Sequence, residues 1–391
     1  MRIIDVAEFY TDQGGGVKTY INQKLKAGAR LGHEIIIIAP GRNRGVEERL
    51  GGKVYWVPGP PLPVDPRYVI LWRQKEVHRL LDELKPDVVE GSSPWTGGWF
   101  AANWKGKAVK SFIFHQDPVA VYPHTILGKF MSTDKVDSLF GFYWNYLKKL
   151  SCKFDATIVS GQWLADRTAN FGIKNPIPVP FGIDKDFFSP KRRDPELRKN
   201  LLGLFGLPET ADLFIGISRH HPEKRLATMI DGFSLAAKEK PMALILFGDG
   251  PLRFYVNKKV KKSLNVSLMG FTSNRDELAN IMASCDYFLH GSAAETYGLV
   301  IAEALCSGLP IVVPNKGGSA DLARQLFSET YEAGNKEELK KAVLSITKRD
   351  RNSLRDEALN HAEKHVGTMD SHFENLFKVY EDLVKKNKIL K

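Results

Sequence analysis

The chain alternates short apolar runs with longer amphipathic segments, and this alternation limits the possible folds more than any other feature of the sequence. The apolar runs are rich in β-branched and aromatic residues, and typical ones are RIIDVAEF, HEIIIIAP, AVKSFIFH, ATIVSG, LFIGISR, MALILFGDG and PIVVPN. Nearly continuous apolar strands that are separated by helices indicate parallel sheets with helices on both faces. The predicted fold class is therefore α/β.

The strand and helix pattern restarts after a polar passage that contains proline, FGIDKDFFSPKRRDPELRKN. A chain of 391 residues is also too long for a single core of ordinary size. We therefore expect two doubly wound, Rossmann-like domains facing a cleft, the first over residues 1–190 and the second over residues 191–367, followed by a helix over residues 368–391. In such sheets ligands bind beyond the carboxyl ends of the strands, so the residues that follow each strand are the candidates for function.

The net charge of +11 is compatible with binding to nucleic acid, to an anionic membrane or to phosphorylated small molecules. Residues 1–190 contain 25 basic and 19 acidic residues, and residues 191–391 contain 31 and 26, so the excess is spread along the chain. This spread argues against a nucleic-acid-binding arm, and we expect no nucleic-acid partner. The one local basic run, VKKNKILK, is typical of a solvated helix end, with contact to a membrane surface as the alternative.

Cysteine spacing and hydropathy indicate the compartment. Cys152, Cys285 and Cys306 are far apart and form no C-x-x-C pair, so they predict neither a disulfide framework nor a zinc site. The N-terminal MRIIDVAEF lacks the basic and apolar regions of a signal peptide, and no run of 18 apolar residues predicts a membrane-spanning helix. We therefore expect a cytoplasmic protein, with peripheral association at the inner face of the membrane as an open alternative.

Two features of the first half follow predicted strands. In TDQGGGVKTYINQKL, the three residues Gly14, Gly15 and Gly16 precede an amphipathic helix, where glycines let an anion approach free amides at the helix N-terminus, although a flexible turn is the alternative. His115 follows SFIF, so it stands at the carboxyl end of a strand, although a lone histidine is more often structural. The loop is not G-x-G-x-x-G and IIIIAPGRN supplies no acid for a ribose, so a nicotinamide dinucleotide is not expected.

In the second half, GISRHHPEKRLATMIDGF places Arg219 at a strand end and Lys224 just before a helix. Two cations at one strand end suit a diphosphate, although surface charges on a loop are the alternative. The adjacent pair His220 and His221 does not predict a metal site, because neighbouring side chains rarely direct both rings at one ion. The run LILFGDGPL ends the next strand with Gly248 in a tight turn that can face the same ligand.

The stretch AAETYGLVIAEAL contains two glutamates around the start of a helix. Gly298 opens the helix, so Glu295 lies in the loop before it and Glu303 in its early turns. The amides near Tyr297, Gly298 and Leu299 are then free to face a phosphate. One carboxylate for a sugar, one for a ribose and a positive helix end between them suit a nucleotide sugar.

This ordered set resembles the retaining glycosyltransferases of group 1, also called family 4, which have the GT-B architecture. The resemblance extends over essentially the whole chain and is strongest from Ser218 to Asp321. It implies that Arg219 and Lys224 neutralise the donor diphosphate. It also implies that Glu295 engages the donor hexose and that Glu303 engages the ribose.

For the rest of the chain, the resemblance implies that the loop Gly14–Gly16 closes over the donor and that His115 lies near the reacting centre. It further implies that residues 368–391 form a helix that crosses back toward the first domain. Independently, Phe373, Phe377, Tyr380 and Leu383 recur at helical spacing and predict one buried face. The family usually has glycine at the positions of Ser218 and Arg225, and glutamate at the position of Asp321.

The expected activity is retaining transfer of a hexose from a UDP- or GDP-hexose to a hydroxyl of a glycan or lipid-linked acceptor, in polysaccharide, lipopolysaccharide or glycolipid synthesis. No D-x-D motif lies near the donor elements, so we expect no required metal and no cofactor. The alternatives are a non-catalytic GT-B partner subunit and a GT-B epimerase or phosphorylase. Acceptor binding is expected in the first domain, where LFGFYWNYLKKLSCKF predicts a core-facing helix or an amphipathic helix at an anionic membrane.

Overall fold

The computed structural model describes residues 1–12, 15–63, 65–128 and 130–389. These residues form two compact units. The first unit contains Met1–Gln116, Leu139–Pro180 and the end of the chain from Met369, and the second contains Asp117–Ser138 and Phe181–Thr368. Each unit carries its own parallel sheet with helices packed against it, which is the α/β architecture that the alternating pattern predicts.

Strands and helices alternate through most of both units, with consecutive strands from β2 to β6 and consecutive helices from α4 to α7 and from α15 to α17. The strands are β1 (Arg2–Val6), β2 (Glu34–Gly41), β3 (Gly45–Arg49), β4 (Gly52–Pro58), β5 (Pro61–Leu62), β6 (Asp65–Val69), β7 (Val88–Gly91), β8 (Val109–Phe114), β9 (Ala156–Val159), β10 (Pro176–Pro178), β11 (Asp212–Ile217), β12 (Met242–Phe247), β13 (Val266–Gly270), β14 (Tyr287–Leu289), β15 (Ile311–Pro314) and β16 (Ser328–Tyr331). The α-helices are α1 (Gly16–Arg30), α2 (Gln74–Leu84), α3 (Thr96–Asn103), α4 (Pro118–Val121), α5 (Pro123–Leu127), α6 (Thr133–Leu139), α7 (Gly141–Ser151), α8 (Gln162–Asn170), α9 (Pro195–Gly203), α10 (Leu226–Ala236), α11 (Arg253–Val260), α12 (Arg275–Ser284), α13 (Leu299–Cys306), α14 (Gly318–Leu322), α15 (Lys336–Ile346), α16 (Arg351–His365) and α17 (Met369–Ile389).

The sheet of the first unit has the strand order β10-β9-β8-β7-β1-β2-β4-β3. Its described strands pair in parallel except for β3, which is antiparallel to β4. The sequence pattern predicts only parallel strands, and this edge strand differs because Leu50 and Gly51 form a two-residue turn with φ angles of 52° and 85°. Two residues with positive φ are sufficient to reverse the chain into a hairpin, whereas a parallel connection needs a crossover.

The second sheet has the strand order β13-β12-β11-β14-β15-β16, and its pairs are parallel. From β11 the chain moves outward through β12 and β13, and it then returns to the other side of β11 with β14. Successive strands are therefore added on one side of β11 as far as β13 and on its other side from β14 onward, so the strand order switches between β11 and β14. In doubly wound sheets this switch leaves a crevice at the carboxyl ends of the two strands, where ligands bind.

The change of unit after Pro180 precedes the boundary expected after residue 190. The passage that follows packs as part of the second unit, because Ile183 and Phe188 are buried in its core and Phe181 packs against that core. Apolar burial therefore assigns this polar passage to the second unit. Residues 117–138, which the sequence places in the first domain, also belong to the second unit.

The C-terminal helix α17 belongs to the first unit. It buries Phe373, Leu376, Phe377 and Tyr380 in the core of that unit, with Leu383 partly buried beside them. The hydroxyl of Tyr380 donates a hydrogen bond to Glu90 Oε1 at 2.6 Å. The helical spacing of apolar residues in this segment therefore does predict a buried face.

A buried ion cluster holds α1, β1, β7 and α17 together. Lys24 is fully buried, and its Nζ donates to Asp5 Oδ2 at 2.7 Å and to Glu90 Oε2. Burial raises the pKa of Glu90 to about 7, and the neighbouring Lys24 acts in the opposite direction. Removing one member of such a cluster leaves an uncompensated buried charge, at a cost of roughly 3–5 kcal/mol. The cluster therefore fixes the helix that follows the glycine loop.

No helix within the described residues is long and apolar enough to cross a membrane.

Candidate active site

A cavity of about 900 Å³ opens in the second unit where β11, β12 and β14 end. The residues that follow these strands lie close together because the strands are parallel and because the strand order switches between β11 and β14. The cavity brings together every donor-binding residue predicted in the second half of the chain, namely Arg219, Lys224, Gly248, Glu295, Tyr297, Gly298, Leu299 and Glu303.

The two predicted cations differ in their surroundings. The side chain of Arg219 is 74% exposed, and its Nη2 lies 3.8 Å from Glu223 Oε1. Lys224 is 16% exposed and ends a short 3-10 turn. The next residue, Arg225, has a φ of 47°, which favours glycine. The loop thus adopts a conformation suited to the glycine of the resembling family although arginine occupies the position.

The Gly248 turn lies against the loop that carries Arg219. Gly248 has a φ of 133°, and a Cβ atom there would lie 1.9 Å from the carbonyl oxygen of Ser218. The amide of His220 donates to the carbonyl of Asp249 at 2.7 Å. Only glycine allows this approach, so the turn closes one side of the cavity with backbone atoms.

Glu295 is the electrostatic centre of the cavity. Its Oε1 atom accepts hydrogen bonds from Lys224 Nζ and from His290 Nε2, the latter at 3.0 Å. Burial alone raises the pKa of Glu295, but the hydrogen bond from His290 and the charge of Lys224 together hold it well below its ordinary value. Glu295 is therefore an ionised carboxylate at every physiological pH.

His290 is a site residue that the sequence analysis missed. Its side chain is 2% exposed and follows β14 directly. The available signal was a histidine directly after the apolar run YFL, five residues before Glu295. That signal is weak because sequence alone does not show which residue a strand-end histidine faces.

Helix α13 presents its N-terminus to the cavity. Gly298 caps it with a φ of 95°, and Leu299 begins it. The first-turn amides of any α-helix lack partners within the helix, and together with the helix dipole they attract anions. The loop before the helix is fixed because the amide of Gly318 donates to the carbonyl of Glu295 at 2.6 Å. Tyr297 is buried beside the helix start.

Glu303 lies in the second turn of α13 and lines the same cavity. Burial raises its pKa to about 7, and Arg275 acts in the opposite direction. Unlike Glu295, this carboxylate has no hydrogen-bond donor from a described residue. Its carboxylate oxygens therefore line the wall of the cavity and can accept hydrogen bonds there.

The predicted residues of the first half lie in the first unit, whereas the walls of the cavity come from the second unit. Gly15 caps α1 and Gly16 begins it, while Gly14 lies outside the described residues. The ring of His115 stands edge-on to Tyr20, with ring centroids 5.7 Å apart. Burial, reinforced by His372 and Lys24, lowers the pKa of His115 to about 3. His115 is thus a neutral imidazole near pH 7.

The histidine pair after β11 shows no metal-binding geometry. His220 is buried, and His221 Nδ1 lies 3.5 Å from Glu223 Oε2. In the part of the chain that the structure describes, no three side chains of His, Cys, Asp or Glu are grouped so that they could hold a metal ion.

Comparison with known proteins gives two matching family models. The model described as Glycosyltransferase Family 4 matches residues 14–187. The model described as Glycosyl transferases group 1 matches residues 202–365 and so includes the whole cavity.

Among curated proteins, the chain is similar to the GDP-mannose-dependent alpha-(1-6)-phosphatidylinositol dimannoside mannosyltransferase of Mycobacterium tuberculosis. The two are 26% identical over 315 residues, and the matched region covers 80% of this chain and 79% of that protein. It is 29% identical over 334 residues to a GDP-mannose-dependent alpha-mannosyltransferase of the same species, with 82% and 81% covered. Among solved structures, the sucrose-phosphate synthase of Thermosynechococcus elongatus has a TM-score of 0.73 at 16% identity and covers 99% of this chain and 100% of its own. The fold is thus shared with that enzyme.

We predict that Glu303→Gln stabilises the protein above pH 7. A carboxyl whose pKa is raised in the folded state loses stability as the pH rises from its unfolded pKa, near 4.5, to its folded pKa, about 7. The amide has no such loss, so the gain at pH 8 is about 1–3 kcal/mol after allowance for partial exposure and is smaller at pH 5. Urea denaturation of both proteins at pH 5 and pH 8 measures this gain in the free energy of unfolding.

The matched control is Asp356→Asn, which changes an exposed carboxylate on α16. It is expected to alter the unfolding free energy equally at both pH values. A gain from Glu303→Gln that does not depend on pH would contradict the raised pKa of Glu303.

Proposed function

This chain belongs to the group 1 glycosyltransferases of the GT-B fold, and from that premise we propose that it transfers mannose from GDP-mannose to a hydroxyl of a lipid-linked or glycan acceptor, with retention of anomeric configuration. The observation that carries the proposal is the convergence of two cations, two carboxylates and a helix N-terminus on one cavity. The GDP-mannose-dependent mycobacterial relatives support mannose as the hexose and a glycolipid as the acceptor.

The donor diphosphate is proposed to bind at the positive side of the cavity. Arg219 offers an exposed guanidinium fork, Lys224 a nearby ammonium, and the first turn of α13 its free amides. These groups lie at the carboxyl end of β11 and beside β14. Three independent positive sources suit two adjacent phosphates, and none of them requires a metal ion.

The two carboxylates are proposed to bind hydroxyl groups at opposite ends of the diphosphate. Glu295, which is ionised and accepts a hydrogen bond from His290, accepts a second one from the hexose. Glu303, eight positions along the chain on α13, accepts from the ribose. Its raised pKa is consistent with a carboxylate that gains its hydrogen-bond donors from the ligand.

In the proposed reaction, the acceptor oxygen forms a bond to the anomeric carbon from the face that the leaving group departs. The bond from the anomeric carbon to the diphosphate oxygen breaks, and the acceptor proton passes to that oxygen. Arg219 and Lys224 stabilise the negative charge that develops on the departing diphosphate, which is the largest electrostatic demand of the step. His115 is neutral near pH 7, so it is proposed to act as a hydrogen-bonding group rather than as a cation.

The acceptor is proposed to come from an anionic membrane that contacts the first unit. Helix α7 buries Tyr143 and Trp144 in the unit but leaves Phe142 70% exposed, and it has two exposed lysines in its last turn, Lys148 and Lys149. Trp99 on α3 is 42% exposed, and Lys153 Nζ lies 4.5 Å above its ring. Exposed aromatic rings interleaved with lysines are typical of surfaces that rest at the membrane interface.

We expect GDP-mannose and GDP to stabilise the purified protein more than UDP- or ADP-based nucleotides do. A ligand at a hundredfold excess over its dissociation constant raises the unfolding free energy by roughly 2.7 kcal/mol. Lys224→Ala is expected to weaken GDP binding about 10- to 100-fold, because a hydrogen bond to a charged group contributes roughly 1.5–3 kcal/mol. Thermal-shift assays and titration calorimetry measure both.

The control for Lys224→Ala is Lys258→Ala, an exposed lysine on α11 in the same unit. It is expected to leave GDP binding unchanged. Failure of the unmodified protein to bind any of these nucleotides would favour the alternative of a non-catalytic partner subunit.

We expect the mannosyl product to have the same anomeric configuration as the donor, and the rate to be unaffected by EDTA. Octyl α-mannoside supplies the acceptor hydroxyl, and the coupling constants of the product in NMR spectra report its configuration. Inversion would refute the proposed front-face attack, while loss of activity in EDTA that returns with added magnesium would refute metal independence.

Membrane contact through α7 predicts binding to vesicles of phosphatidylcholine with phosphatidylglycerol, and weaker binding to phosphatidylcholine alone. Phe142→Ser is expected to lower vesicle affinity about tenfold or more, because burying a phenylalanine contributes roughly 1.5–3 kcal/mol. The control is Phe254→Ser, which removes a ring that is 84% exposed on the second unit. Equal losses in both variants, measured by co-sedimentation, would argue against a specific surface on α7.

A further inference from the structure

We propose that His290 is a positioning residue that holds the Glu295 carboxylate in place for the donor hexose while Lys224 moves from Glu295 to the donor diphosphate. The inference rests on the proposed function, and it assigns His290 a role that is exerted through its contact with Glu295. It concerns how one carboxylate keeps its orientation when its cationic partner is recruited by the substrate.

Both donors of Glu295 contact the same oxygen. Lys224 Nζ and His290 Nε2 each donate to Oε1, and no described residue donates to Oε2. Glu295 lines the cavity and its side chain is 17% exposed. Oε2 is thus the oxygen available to accept a hydrogen bond from a ligand hydroxyl.

The two donors differ in mobility. The main chain of His290 is fixed at both ends, because its amide donates to the carbonyl of Val312 at 2.9 Å and its carbonyl accepts from the Tyr331 hydroxyl at 2.6 Å. Its ring is almost fully buried and lies nearly parallel to Phe288, at an interplanar angle of 16°. His290 Nε2 therefore stays where β14 and β15 place it.

Lys224, in contrast, can leave. It has a flexible four-carbon side chain and stands in a loop between β11 and α10. A diphosphate in the cavity would attract its ammonium group away from Glu295. Without a second donor, Glu295 would then be a largely buried carboxylate with no partner, which is costly and leaves its orientation undefined. His290 removes that problem because its contact does not depend on the substrate.

The expected consequence is a separation between nucleotide and sugar recognition. Loss of His290 leaves the diphosphate groups intact, so GDP affinity should hold. Glu295 loses its fixed orientation, so the additional affinity that the hexose gives should fall. A substitution of Lys224 cannot separate the two effects, because Lys224 is proposed to contact the diphosphate and also contacts Glu295.

The test compares the dissociation constants of GDP and GDP-mannose by titration calorimetry in the unmodified protein and in His290→Leu and His290→Gln. His290→Leu keeps the buried volume but removes the donor, and we expect GDP affinity within about twofold and GDP-mannose affinity reduced about tenfold. His290→Gln places an amide N–H near the position of Nε2 and is expected to restore most of the GDP-mannose affinity. The control is His361→Leu, which replaces a half-buried ring on α16 that packs against Phe327.

The outcomes separate the inference from the proposed function. If the unmodified protein binds neither GDP nor GDP-mannose, the proposed donor fails. If it binds both but His290→Leu weakens them equally, or if His290→Gln restores nothing, His290 is only a structural residue and the inference is overturned. Thermal unfolding of each variant identifies any general loss of folding, which would lower both affinities together.

Discussion

The parallel direction of the strands in the second sheet is the constraint on which the site depends. All carboxyl ends lie at one edge, and the switch between β11 and β14 opens a crevice there. Loops that are distant in sequence therefore meet at one cavity, and each contributes a different chemical group. The strands themselves are buried and apolar, so the chemistry is confined to the residues that follow them.

The electrostatics of the cavity are arranged before any ligand binds. Lys224 and Glu295 neutralise each other, while His290 adds a second contact to the same carboxylate oxygen. Glu303 has no comparable donor among the described residues, and its burial in the wall of the cavity raises its pKa. One carboxylate is thus stabilised within the protein and the other has no hydrogen-bond donor from a described residue, which is the kind of local conflict expected at a functional site.

The first unit uses buried charge for a different purpose. Lys24 lies between Asp5 and Glu90, and Tyr380 of α17 completes the cluster. The C-terminal helix therefore belongs to the first unit through polar contacts as well as through its apolar face. The burial of Lys24 could not be recognised in the sequence, because a lysine in an amphipathic helix is ordinarily on the solvent face.

The sequence by itself determined the α/β class, most of the described strands and eight of the residues that line the cavity, because periodicity and helix start signals are local properties of the chain. It missed the edge strands β3 and β16 and the short pair β5 and β6, and the turn between β3 and β4 depends on two positive φ angles. The change of unit comes after Pro180, before the boundary expected after residue 190, because Phe188 packs in the core of the second unit. The sequence pattern also missed His290. Only the tertiary structure decided that Lys224 and Glu295, 71 residues apart, share one contact, since that pairing depends on the adjacency of β11 and β14.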